Sequence, residues 1–132
     1  MQVTESYLDK NFNGLCFVNL VDFDAMYGHR NDVDGYANAL TEFDAWLSGF
    51  YTKLSPNDLL IITADHGCDP STVSTDHSRE YTPMLIYGNK VKSGVNLGVR
   101  KSFADISATV LEYLGIDKEN TDGESFLSKV LI

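Results

Sequence analysis

The sequence is poor in cysteine, in proline and in positive charge. Its two cysteines, Cys16 and Cys68, are too few for a disulfide framework. Its three prolines build no linker, and neither an internal repeat nor a low-complexity tract divides the chain. No run approaches the roughly 18–20 apolar residues that a membrane span needs, and no charged start leads into a long apolar stretch of the kind that marks secretion. Lys and Arg number 10 against 19 Asp and Glu, giving a formal charge of −9. That excludes a general nucleic-acid surface, which must neutralise phosphates with cations. A cytoplasmic protein with neither nucleic-acid nor membrane partners is therefore expected. The 132 residues, 43% of them hydrophobic, suit one globular unit over 1–132 with a core of its own.

What is present is an alternation of apolar runs and helical patterns. Glu5 to Lys10 reads as the end of a helix, broken by Asn11-Phe12-Asn13-Gly14 before an apolar strand, Leu15 to Val21, in which Cys16 is expected to be buried. From Asp32 to Lys53, Val33, Tyr36, Ala37, Leu40, Phe43, Leu47 and Phe50 recur at helical spacing. Leu59 to Ile62 is apolar throughout, as a buried parallel strand would be. A long polar loop, Thr63 to Glu80, precedes a strand over Pro83 to Tyr87, and a short strand is expected near Val95 to Val99. A last helix spans Phe103 to Leu114, with Ser102 as its cap and Gly115 beyond its end. This order predicts an α/β domain with a mostly parallel sheet flanked by helices.

Candidate ligands gather after two of the strands. Asp24 and His29 follow the first apolar run, and Asp65, His66 and His77 follow Leu59 to Ile62. Ligand sites in open parallel sheets form at the carboxyl ends of strands, so these residues suggest one shared polynuclear metal site. A charged Asp directly after a buried strand costs free energy unless a cation or strong donors compensate it, and for Asp65 a turn or helix cap is the other reading. Gly67 allows the backbone to approach a ligand closely. Carboxylate and imidazole without thiolate suit Mn²⁺ or Zn²⁺, with Cys68 as a neighbour of the site. Asp22, Asp69 and Asp76 are expected to orient the histidines, whereas Arg30, Arg79 and Lys101 read as solvated charges.

The run from Val18 through Asp24, continuing into Tyr27-Gly28-His29-Arg30-Asn31-Asp32, is followed by Thr63-Ala64-Asp65-His66-Gly67-Cys68-Asp69-Pro70 and by Thr75-Asp76-His77-Ser78-Arg79-Glu80-Tyr81. Together they resemble the phosphopentomutases of the alkaline phosphatase superfamily, as does Phe103-Ala104-Asp105-Ile106. The resemblance implies a two-metal enzyme, usually with manganese, that interconverts ribose or deoxyribose 1-phosphate and 5-phosphate through a phosphothreonine. It implies that Asp24, His29 and His77 hold one metal and that Asp65 and His66 supply part of the second metal's ligand shell. The family's first Asp ligand, its phosphothreonine and its sugar-recognising cap domain have no counterpart here. The chain is thus expected to be the C-terminal part of such an enzyme, lacking the N-terminal core segment, with Met1 an internal methionine or an artificial start. No catalytic residue is assigned within it, it is expected to be inactive alone, and its uncovered sheet edges are expected to favour self-association. The other readings are a related phosphomutase or phosphatase, such as a phosphoglycerate mutase-like enzyme, and a non-catalytic metal-binding or assembly fragment.

Overall fold

Helix α2, Val33–Phe50, is the longest element of the computed structural model, which describes residues 1–117, 119 and 121–132. The Asp32 carboxylate starts it by accepting the Gly35 N–H at 2.9 Å, which satisfies a donor the first turn leaves open. Its aromatic side forms a continuous row: Phe43 lies 5.7 Å from Trp46, and Trp46 stacks on Phe50 at 4.5 Å. Phe23, from the segment before the helix, packs on Tyr36 at 5.5 Å and edge-on to Phe43 at 6.3 Å. Aromatic pairs of this kind contribute about 0.5–1.5 kcal/mol each beyond area burial, and they fix the segment that carries Asp24 onto α2.

Strands β1, Leu60–Thr63, and β2, Met84–Tyr87, pair with Leu60 opposite Tyr87 and Thr63 opposite Met84. Among the described residues the sheet has these two strands and is antiparallel, which corrects the expected mostly parallel sheet. The reason lies in the connection, a loop without the crossover helix that parallel neighbours require. Leu15 to Val21 forms no strand; Leu15, Phe17 and Val21 are exposed, and so is Cys16. Its apolar composition suits a strand, yet no neighbouring strand lies within the described chain to take its backbone groups. The segment 95–99 likewise joins no ladder and turns at Gly98, with φ +64°. Helix α1 spans Gln2–Ser6, earlier than expected, because Leu8 and Lys10 donate to Glu5 and Tyr7 in tight three-residue turns rather than helical ones.

Helices α3, Ala104–Tyr113, and α4, Leu127–Val130, form the buried end of the molecule. Ser102 Oγ accepts the Ala104 N–H at 3.1 Å, and Gly115, at φ +69°, closes α3 as Gly115 and Ile116 donate to Glu112 and Leu111. Ala108, Thr109 and Phe126 are fully buried, with Leu127, Val130 and Phe50 close behind. Asp105 is buried too. It accepts from Arg100 Nε at 2.7 Å and from the Glu124 N–H at 2.8 Å, and the latter contact leads the causes that hold its carboxyl below the usual range. Lys92 donates to Val130 O and Ile132 to Lys90 O, tying the C-terminal residues back onto the chain.

Candidate metal centre

The segment after residue 20 does not run straight into α2. A wide turn, Phe23–Tyr27, and a tight one, Gly28–Arg30, place Asp24 and His29 on the same side. Gly28 makes the next approach feasible, since a Cβ there would lie 2.6 Å from Cys68 Sγ and 3.1 Å from the Phe23 carbonyl oxygen. The loop after β1 therefore packs directly against this turn.

That loop folds back on itself. Gly67 and Ser78 form an antiparallel bridge, and Ser78 Oγ accepts the Asp69 N–H at 2.7 Å. A Cβ at Gly67 would stand 2.6 Å from Glu80 N and Ser78 O, so the close approach this glycine permits is to the returning chain rather than to a ligand. The bridge brings His77 onto His66, their rings stacked with centroids 3.7 Å apart.

Three side chains converge as a result. Asp24 Oδ1 lies 3.4 Å from Nε2 of both His29 and His77, and the ligand atoms of all three fall within 4.8 Å of one another. His66 Nε2 stands at the margin, 3.8 Å from Asp24 Oδ1 and 3.7 Å from Asp65 Oδ1. Asp65 faces outward with 89% of its side chain exposed, and it and His66 line a cleft of about 850 Å³ that Lys92 and Lys101 also border.

The set fits a divalent cation on this structure's own terms. Asp24 Oδ1 is buried and receives no hydrogen bond, which is costly for a carboxylate oxygen unless something positive faces it. Two donor atoms about 2.1 Å from one ion in tetrahedral arrangement stand about 3.4 Å apart, the spacing found here. His29 uses Nδ1 to donate to the Thr75 carbonyl at 2.5 Å, and His66 Nδ1 lies 3.0 Å from the Gly67 carbonyl. Each contact leaves Nε2 as the free ligand atom.

The expectation that Asp22, Asp69 and Asp76 orient the histidines does not hold for these contacts. Backbone carbonyls do so instead, while Asp69 Oδ1 accepts from Ser71 N–H and Oγ, which holds its carboxyl below the usual range. Burial first, and then the charges of Asp24, Asp69 and Glu80, push the Cys68 thiol upward, which keeps it a protonated neighbour. Sequence reasoning missed Asn31, whose side-chain amide donates to the Thr72 carbonyl and, at 3.1 Å, to that of Ser74. The available signal was an Asn between a histidine turn and a helix cap, where left-handed backbone is common.

An α/β chain with a carboxylate and imidazoles gathered beside its sheet is a metalloenzyme scaffold, and residues 1–118 match the metalloenzyme superfamily; the chain belongs to that family of metal-using enzymes. Particular relatives are more informative. The chain is 58% identical over 131 residues to a phosphopentomutase of Lachnoclostridium phytofermentans, covering 99% of this chain and 33% of the relative. It is 60% identical over 128 residues to that of Acetivibrio thermocellus, covering 97% and 33%, and 54% identical over 131 residues to that of Desulfitobacterium hafniense, covering 99% and 34%. It spans about a third of the length of these curated relatives. No helix among the described residues is long and apolar enough to cross a membrane.

Proposed function

We propose that this chain is the metal-binding portion of a phosphopentomutase, which interconverts ribose or deoxyribose 1-phosphate and 5-phosphate. The observation that carries the metal half of this reading is the buried, undonated Asp24 Oδ1 flanked at 3.4 Å by two imidazole nitrogens. The relatives' names and their identity over nearly the whole chain support the pentomutase half. In this reading Asp24, His29 and His77 hold one divalent ion, manganese by preference, and Asp65 and His66 contribute to a second. A bound metal pair supplies charge stabilisation to a transferring phosphoryl group. Within this chain, the Thr75 carbonyl keeps His29 Nε2 free and the Gly67–Ser78 bridge holds His77 in place. Asp65 has 89% of its side chain exposed, which supports a second position that residues of the full-length enzyme outside the matched third would complete, together with its phosphothreonine, so that this chain alone would not turn over.

Exposure of Leu15, Phe17 and Val21 supports a further element of this reading: an additional strand of the same enzyme pairs with that segment. Metal stoichiometry tests the first half. About one equivalent of Mn²⁺ is expected, lost in the His29→Ala/His77→Ala double variant; no binding above the variant sinks it. Assay of a full-length protein containing this sequence tests the second half, with turnover of ribose 1-phosphate expected and turnover of phosphoglycerate alone decisive against it.

A further inference from the structure

We infer that Asn31 is the positioning residue that holds the two ligand-bearing loops in register, and through them the ligand atoms of His29 and His77. The inference rests on the reading of Asp24, His29 and His77 as a metal-holding set. Asn31 is the one non-glycine residue with positive φ among those described, at φ +55°, at the junction between the His29 turn and the cap of α2. Asparagine tolerates this left-handed conformation better than most residues, but tolerance does not account for its side chain.

That side chain spans the gap between the loops. Its amide nitrogen donates to the carbonyls of Thr72 and Ser74, and both acceptors are oxygens, so the NH₂ group must face them and both its protons are used. Its Oδ1 is buried with no hydrogen-bond partner, which leaves the donors as the polar function of the group. Thr75, the next residue along, carries the carbonyl that accepts from His29 Nδ1, and His77 follows shortly after. One amide thus sets the distance between the His29 turn and the strand of loop that both orients His29 and carries His77.

Two variants separate the backbone role from the clamp. Asn31→Gly keeps the left-handed backbone and deletes both donors. Asn31→Asp keeps the shape and presents oxygens to two carbonyls. Binding of Co²⁺ to the 132-residue chain, followed through its visible ligand-field bands, reports affinity and coordination geometry together. Loss of a partner that orients a metal ligand typically weakens affinity about 10–100-fold, so Asn31→Gly should bind Co²⁺ that much more weakly with shifted bands, and Asn31→Asp at least as weakly. A metal-free readout accompanies it: proteolysis between residues 71 and 77 should be faster in Asn31→Gly than in the parent chain. Parent-like Co²⁺ affinity and spectrum in Asn31→Gly, or parent-like cleavage, would overturn the inference. If the parent chain binds Co²⁺ no better than Asp24→Ala, the metal reading falls and the positioning role with it, whereas parent-like cleavage on its own removes the clamp and leaves the metal reading standing.

Discussion

Asp24 and His77 come from opposite ends of the central sequence, yet Oδ1 of the first and Nε2 of the second stand 3.4 Å apart, with no hydrogen bond to the carboxylate oxygen. Metal-free, that oxygen is a liability, because an unsatisfied buried acceptor costs about 1–3 kcal/mol. Asp24→Ala should therefore leave the metal-free chain at least as stable as the parent while abolishing the rise in melting temperature that Mn²⁺ gives. Thermal unfolding with and without Mn²⁺ measures both, and an undiminished metal-induced rise in the variant would remove Asp24 from the ligand set.

The Asp105 network should govern acid stability. Its folded carboxyl is held below its ordinary value, first by the Glu124 N–H and then, against the opposing effect of burial, by Arg100. A depressed folded value contributes stability that is full above the unfolded value of about 3.9 and is lost as pH falls through the folded one. Asp105→Ala should cost about 1.5–3 kcal/mol at pH 7, because it takes the carboxylate from Arg100, which keeps the Glu124 carbonyl at 3.0 Å, and leaves the Glu124 N–H without its acceptor, and it should flatten the decline below pH 4. Urea titrations across pH 2–7 would show it; a parallel acid limb in the variant would contradict it.

Gly28 should tolerate no side chain while Cys68 keeps its sulfur. Gly28→Ala places Cβ against Cys68 Sγ, so it should destabilise the chain by about 1–3 kcal/mol. Adding Cys68→Ala should recover the part of that loss due to the sulfur while the 3.1 Å approach to the Phe23 carbonyl remains, a coupling that a double-mutant cycle reads directly. Simple additivity of the two changes would mean that the loops do not touch as described.

The exposed segment around Phe17 should drive self-association. Phe17 is 83% exposed and Leu15 62%, in backbone that forms no ladder. Sedimentation equilibrium should show mass rising with concentration, and Phe17→Lys, which sets a charge on the same edge, should shift the equilibrium toward monomer by a factor of ten or more, roughly the cost of burying a charge in such a contact. A monomer at all concentrations would argue that the segment is harmless when unpaired.

Much of this was legible in the sequence where the signal is local. The Asp32 cap, the apolar stripe of α2 and the Ser102 and Gly115 boundaries of α3 depend on a few neighbouring residues, and each stands within a residue or two of its expected place. Ligand chemistry alone points to five residues, Asp24, His29, Asp65, His66 and His77, and the set of three comes from the family resemblance; in the structure the ligand atoms of Asp24, His29 and His77 lie within 4.8 Å of one another. Sheet direction was not legible, because it depends on which strand lies alongside, and an apolar run such as Leu15 to Val21 carries no record of its partner. The orienting groups were missed for a related reason: carbonyls of Thr75 and Gly67 are backbone atoms, common to every residue type and invisible in composition.

The buried side chains of α3 and α4 lie in the C-terminal part of the sequence and the converging ligands before it, with Phe50 the one buried apolar residue outside that part among the described residues. Cooperative resistance to opening follows buried contacts, so the amides of 104–113 should exchange with solvent only in rare, large openings, while those of the ligand loops exchange through small and frequent ones. The chain is in this sense two clocks, a slow one set by its apolar end and a fast one that a bound ion would be able to stop.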